Sequence, residues 1–256
     1  MTPYPVILLP GSVVPAAPAY AALLQALGER VNAVAKDLEV YAEDRPPVDY
    51  RLETEVAGIL GEADARGYDR FHLVGYSGGG ASALAFTAVH GDRLRSLAVL
   101  EPAWAGNDRT AEEEALWLRF RELSQLPPDE FVAGFVRLQL APGVEPPPPP
   151  AGPPPPWMAK RPAGIRALMD AFDDGDLDTD ALRAFDRPVY FALGGRSNSD
   201  YFGRIADRLG AIFPDFTIET FPERHHFDPP HRIEPERLAD SLLAHWHRAD
   251  AYASES

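Results

Sequence analysis

The chain contains no cysteine, which excludes a disulfide framework, a thiolate nucleophile and any Cys-ligated metal. Its chemistry must use oxygen and nitrogen. Basic residues are scarce: Lys plus Arg number 24 against 39 Asp plus Glu, a formal charge of -15. A field of that sign repels phosphate backbones and anionic lipid surfaces, so neither nucleic acid nor a membrane is expected as a partner. Nowhere do about eighteen apolar residues run together, and no basic region precedes the short apolar run of MTPYPVILLPGS. Neither a membrane span nor a signal peptide is indicated, and a cytoplasmic protein is the default expectation.

What is present is material for a core. In 256 residues, 45% of them hydrophobic, there is room for one large α/β domain with an insertion. Short β-branched apolar runs alternate with longer amphipathic segments, the pattern of a parallel sheet covered by helices. Strands are expected at Pro5 to Leu9, Val31 to Lys36, Phe71 to Gly75, Ser96 to Leu100, Pro188 to Leu193 and Phe216 to Phe221. Helices are expected at Tyr20 to Gly28, Tyr50 to Arg66, Gly78 to His90, Tyr201 to Phe213 and Pro235 to Ala249. Between Leu100 and Pro188 the rhythm breaks, because helical patterns recur there without a convincing strand. The chain therefore divides into a core, residues 1–101 and 188–256, and an inserted helical segment, 102–187. Within the insertion EPPPPPAGPPPPW cannot be helical and is expected to cross as polyproline II, a semi-rigid spacer. The acidic run DDGDLDTD (Asp173 to Asp180) has Asp and Gly at some calcium-loop-like positions but lacks the closing glutamate. It is read as a turn.

The stretch FHLVGYSGGGASALAF, Phe71 to Phe86, runs from an expected strand through a serine among glycines into an expected helix. GYSGG fits G-x-S-x-G in the context that the pattern requires. A serine on a sharp strand-to-helix turn adopts strained backbone angles, so small neighbours such as Gly75 and Gly79 relieve clashes and hold the Ser77 hydroxyl clear of the sheet edge. The helix N-terminus behind it offers unpaired N–H groups, that of Gly78 included, to a developing oxyanion. A phosphate-holding loop is the competing reading of such a turn, but the Lys-Ser/Thr pair and the G-x-G-x-x-G spacing are both missing.

At these residues the chain resembles the α/β-hydrolase superfamily, and the likeness covers most of its length outside the insertion. VILLPGS looks like the strand and loop that supply the second oxyanion-hole amide, with Pro10 where many members have His and Ser12 where the donating N–H usually lies. The resemblance thus assigns the hole to Ser12, Gly78 and Tyr76. AVAKDL resembles the next strand with its Asp, DRLRSLAVLEP the helix end and strand after the elbow, and HHFDPPHRIEPERLADSLLAHW the histidine loop and final helix. The first recognisable strand begins by residue 5, leaving no room for the antiparallel hairpin that opens longer members. About six mostly parallel strands are therefore expected, with a helical lid between those at Ser96 to Leu100 and Pro188 to Leu193.

Ser77 needs an imidazole to accept its proton, and seven histidines compete. His72 lies within a strand, His90 ends a helix, and His245 and His247 sit in the last turns. The pair His225-His226 follows the last strand and reaches the same sheet edge as the elbow. His226, directly before Phe227, matches the family histidine best; His225 is its rival, and His231 is read as fixing the loop. In most of the family the acid is an Asp a few residues beyond the strand at Pro188 to Leu193. Here that stretch reads GGRSNSDYF, with Ser197 or Asn198 at the place and Asp200 further on. The alternative is Glu101, directly after the preceding strand, a site used by some members, certain haloalkane dehalogenases among them. Glu101 is preferred because its backbone exits at the correct edge, whereas Asp200 looks like a helix cap.

A serine nucleophile implies cleavage of a small, largely apolar ester, thioester or lactone, a small-molecule acyl substrate handled without cofactor or metal. The insertion's aromatic bulk is expected to supply an acyl pocket, with Trp104, Trp117, Phe135, Trp157 and Met158 as its candidate residues. Two other classes remain open on the same fold: a small-molecule binding protein, and a lyase or cofactor-free oxygenase for which Ser77 is dispensable. Oligomeric state is not legible from the chain.

Overall fold

The computed structural model describes residues 3–148 and 152–255. Its centre is a six-stranded sheet formed by β1 (Tyr4–Leu9), β2 (Val31–Ala35), β3 (Phe71–Tyr76), β4 (Leu94–Leu100), β5 (Val189–Gly194) and β6 (Phe216–Phe221). The strand order is β2-β1-β3-β4-β5-β6, and every neighbouring pair runs parallel. The four central strands are buried along nearly their whole length, whereas β2 and β6 at the edges are half-exposed. Continuous apolar runs in the middle and mixed ones at the rim are what a parallel sheet covered on both faces demands.

The period-two alternation of each strand sorts the core into two layers. Ile7, Leu9, Leu73, Leu97, Val99 and Phe191 face one side, where they meet α2 (Leu52–Ala65), α3 (Gly78–His90) and α8 (Arg204–Ile212). Val6, Leu8, Val74, Ala98, Leu100 and Tyr190 face the other, under α1 (Ala16–Leu27) and α10 (Pro235–Glu255). Between β4 and β5 the chain makes four helices, α4 (Ala111–Ser124), α5 (Pro128–Leu138), α6 (Arg161–Asp174) and α7 (Thr179–Arg183), and no strand among the described residues. Their apolar residues join the first core layer rather than forming a separate one: Trp117, Phe120, Phe131, Ile165 and Phe172 belong to the same buried cluster as Leu73 and Val99. Residues 149–151, the middle of the proline run read as a polyproline II crossing, lie outside the described residues.

Three departures from expectation fall at the starts of helices. α1 starts at Ala16, a turn earlier than Tyr20, because the Ala16 N–H is capped by Asp37 Oδ1 at 2.7 Å, a partner 21 residues away that no local pattern reveals. The helix expected over Tyr201 to Phe213 begins as a π-turn, Ser199–Gly203, before continuing as α8. A one-turn helix, α9 (Pro230–Ile233), precedes α10.

The sheet order reverses between β1 and β3, so the loops leaving their C-terminal ends diverge and open a crevice there. Pro10 to Ser12 leave β1 at that point, and Ser77 leaves β3.

Candidate active site

Ser77 occupies the turn between β3 and α3 with φ 53° and ψ -118°, a region that L-residues enter only under constraint. The constraint is visible in its neighbours. A Cβ added at Gly75 would stand 2.4 Å from the Gly79 carbonyl oxygen, and one at Gly79 would stand 2.5 Å from that of Pro10. Both approaches are to backbone, so the two flanking positions admit glycine alone. Among the described residues one other non-glycine position has a positive φ, and it is Glu101 at 45°. The two turns brace each other: Ser77 N–H donates to the Leu100 carbonyl at 3.1 Å, and Ala103 N–H donates back to the Ser77 carbonyl at 2.9 Å.

The third group arrives from the loop after β6. His226 Nε2 lies 2.9 Å from Ser77 Oγ, and its Nδ1 lies 2.9 Å from Glu101 Oε2. The other carboxylate oxygen, Oε1, accepts the Gly194 N–H at the end of β5 at 2.8 Å. With a carboxylate at Nδ1, the ring keeps its proton there and presents a lone pair to the serine. The imidazole is clamped on both sides, by the ring of Phe202 stacked at 4.4 Å and that of Tyr76 at 4.9 Å. The Tyr76 hydroxyl donates to the His226 carbonyl, and its own ionisation is pushed well up by burial and by the Glu101 charge. All three groups are withdrawn from solvent: Ser77 is 5%, Glu101 4% and His226 1% exposed.

Gly78 and Ser12 lie beside the serine. Gly78 is the first residue of α3, where helix geometry supplies no intrahelical acceptor for the amide. Ser12 lies against it, its Oγ 2.6 Å from where a Gly78 Cβ would stand. The Ser12 carbonyl is held by the Tyr41 hydroxyl at 2.8 Å.

A family model described as the Alpha/beta hydrolase family matches residues 6–241. The chain belongs to the α/β hydrolase family. Solved structures share the fold over almost the whole chain. An esterase of Thermogutta terrifontis matches with a TM-score of 0.71 at 18% identity, over 97% of this chain and 91% of that one. An esterase of Exiguobacterium antarcticum matches at 0.72 and 18%, over 96% and 92%, and MenH of S. aureus at 0.70 and 16%, over 98% and 95%. At these identities the likeness is one of fold. No curated protein sequence matches the chain.

In this α/β hydrolase α4 to α6 meet the loop after β1 around a small cavity. A cavity of about 20 Å³, room for roughly one water molecule, is walled by Ser12, by Trp117 and Phe120 of α4, by Phe135 of α5 and by Ile165, Leu168, Met169 and Phe172 of α6. Gln139 and Tyr201 are its other polar members besides Ser12. The Gln139 amide is anchored on the Phe135 carbonyl and the Tyr201 hydroxyl on that of Ala103. The loop after β5 fastens this wall: Asn198 N–H donates to the Gln139 carbonyl at 3.0 Å, Asn198 Nδ2 to the Leu138 carbonyl at 2.7 Å, and Ala141 N–H to that of Arg196 at 3.0 Å.

Several sequence expectations need correction. Asp200 does not reach the imidazole; it is exposed in the π-turn, where its N–H donates to Asn198 Oδ1. His225 does not approach Ser77, its Nδ1 instead accepting the Phe227 N–H at 3.2 Å. Tyr76 is not placed to serve an oxyanion, since it ends β3 in register with Leu100 and commits its hydroxyl to the His226 carbonyl. Of the five pocket candidates, Trp117 and Phe135 line the cavity. Trp104 stacks on Phe172 at 5.7 Å and lines the neighbouring crevice. Trp157 and Met158 line neither, because they sit in a half-exposed turn, Pro156–Lys160, at the head of α6. Sequence reasoning passed over Leu168 and Tyr201 altogether. The spacing Ile165, Leu168, Met169, Phe172 is a helical stripe that a periodicity reading of α6 could have singled out.

His231 is fully buried between the rings of Tyr20 and Tyr76, away from Ser77, with neither ring nitrogen hydrogen-bonded. Burial pulls its pKa down to about 3. Among the described residues no group of three or more His, Asp or Glu side chains is arranged to hold a metal ion, and no helix is long and apolar enough to cross a membrane.

Proposed function

We propose that this α/β hydrolase is a serine hydrolase that cleaves a small, largely apolar carboxylic ester, thioester or lactone through an acyl-enzyme. The observation that carries the reading is the unbroken relay from Ser77 Oγ through His226 to Glu101, two contacts of 2.9 Å with the serine on a strained turn. Ser77 attacks the acyl carbon while His226 Nε2 takes its proton, and Glu101 stabilises the imidazolium that results. The Ser12 and Gly78 amides receive the oxyanion. His226 then returns the proton to the leaving alcohol or thiol, and a water activated by the same imidazole releases the acid.

Residues 102–187 act as a lid over the core formed by 1–101 and 188–256. The closed cavity admits no ester, so the α4 to α6 wall must part for substrate to enter and re-form to exclude bulk water. The aromatic wall favours an apolar acyl or alcohol chain. The test is intact-mass labelling with a small alkyl fluorophosphonate on the native chain and on Ser77→Ala. One adduct on the native protein that is absent from the variant is the expected result. A native protein left unlabelled after prolonged incubation, while its fold is intact by circular dichroism, refutes an activated serine.

A further inference from the structure

The cavity-lining face of α6 does not end at Ile165. One turn earlier on the same face, at the i, i+4 spacing, stands Arg161. It is seven residues from Leu168, which touches the space beside Gly78, and so roughly 10 Å further along the helix axis at 1.5 Å per residue.

Arg161 is held in a way that stability alone does not explain. It is 3% exposed, and its Nε has no hydrogen-bond partner. Among the described residues no carboxylate lies within ion-pair distance of it; its neighbour Lys160 is the one that pairs with Asp44. It also opens α6, whose first turn carries no acidic residue, at the end where the helix dipole disfavours a cation. A buried charge normally comes with a partner, because desolvating it alone is expensive. Its favourable contacts are with Tyr41, over whose ring the guanidinium sits at 3.9 Å and whose hydroxyl it also engages, and these leave Nε unpaired. Tyr41 is the residue whose hydroxyl holds the Ser12 carbonyl, so guanidinium, tyrosine and oxyanion loop are contiguous.

We propose that Arg161 receives a carboxylate carried by the substrate. The ester cleaved at Ser77 is then an anionic one, with its reacting carbonyl at Ser12 and Gly78, an apolar middle against the α6 stripe, and its carboxylate at the head of α6. The inference rests on the hydrolase reading above and sharpens its substrate class. The guanidinium fork matches a carboxylate in geometry as well as charge. It also provides a local inversion in a chain whose formal charge of -15 repels anions at long range.

Binding tests this independently of turnover. Ser77→Ala and the double variant Ser77→Ala/Arg161→Met are titrated calorimetrically, in buffer of ~0.15 M ionic strength so that the overall field is screened. The ligands are monomethyl esters of straight-chain C4 to C8 dicarboxylic acids, methyl esters of the monocarboxylic acids of equal length, and O-acetyl ω-hydroxy acids, which carry the carboxylate on the alcohol side. The expected result is an anionic ester bound at least ~10-fold more tightly than its neutral counterpart by Ser77→Ala. That preference disappears in the double variant and is reduced but not abolished when Lys replaces Arg161. Whichever anionic series binds identifies the side of the ester that bears the charge. Equal binding of charged and neutral esters by Ser77→Ala overturns the proposal, as does a preference that survives loss of the guanidinium. Failure of fluorophosphonate labelling would instead count against the hydrolase reading, leaving the binding preference to be judged by itself.

Discussion

Replacing Glu101 by Gln changes one atom and should disable the relay through the imidazole's tautomer. In the native site both carboxylate oxygens accept: Oε1 takes the Gly194 N–H at 2.8 Å and Oε2 faces His226 Nδ1 at 2.9 Å. An amide has a single acceptor oxygen. Turned so that this oxygen serves Gly194, it points its NH2 at Nδ1, and the imidazole must present a lone pair there and move its proton to Nε2. That proton then points at Ser77 Oγ, where a base is needed. Turned the other way, the NH2 opposes the Gly194 N–H in a buried site, a conflict costing about 1–3 kcal/mol. The inactive tautomer is therefore preferred. The expected loss in kcat is about 10,000-fold, ~5.4 kcal/mol at 1.36 kcal/mol per decade. Hydrolysis of p-nitrophenyl acetate measures it, with the fluorophosphonate labelling rate falling in parallel and the melting temperature as a control for folding. Asp200→Asn, at an exposed position off the relay, should stay within about twofold of wild type. A Glu101→Gln enzyme retaining a tenth of native activity, or an Asp200→Asn enzyme losing a hundredfold, would refute the reasoning.

Two further expectations concern stability. Gly79→Ala places a methyl 2.5 Å from the Pro10 carbonyl and 2.6 Å from that of Leu9, and backbone cannot yield as a side chain does. We expect destabilisation of about 3 kcal/mol, or a Tm lowered by roughly 6–12 °C by calorimetry; a change under about 2 °C contradicts the geometry. His231, with its pKa pulled down to about 3 by burial, binds fewer protons folded than unfolded between pH 3 and about 6.5. Its contribution to stability is present in full above pH 6.5 and declines as pH falls, by roughly 2 kcal/mol between pH 6.5 and 5. His231→Phe should therefore lose that much less stability over the interval in urea unfolding. Glu55, pushed up by burial and acting in the opposite sense, weighs equally on both proteins, so identical losses would contradict the assignment.

The parts of the site legible in the sequence are those whose causes are local. Gly75, Ser77 and Gly79 announce the elbow because each restriction arises within five residues, between a strand and a helix that periodicity alone locates. The four central strands declare themselves as unbroken apolar runs, since both their faces are covered. Glu101 and Asp200 stayed in competition because the choice depends on which strand end faces the imidazole, a property of the folded sheet. The first turn of α1 was missed because its cap comes from Asp37 across a strand. Trp157 and Met158 misled for a related reason: aromatic bulk in an insertion signals burial somewhere, and only the path of the proline run decides where. Tyr41 and Arg161 carry no motif, and their meeting depends on how α6 lies against the Glu39–Tyr41 turn.

Glu101, the acid of the proposed relay, follows β4, and the exit from β5 is used otherwise: Arg196 to Asn198 form a strap tying residues 138–141 to the sheet. The site thus has a division of labour by strand. β3 and β4 lead into the two mutually braced turns that hold Ser77 and Glu101, β6 leads into the loop of His226, and β5 leads into the strap. For the lid proposed above, an engineer has a handle on its motion in Ser197 and Asn198, off the proposed relay. One wishing to place an acid at Ser197 or Asn198, where the resemblance to the superfamily would put it, would be altering the strap to do so.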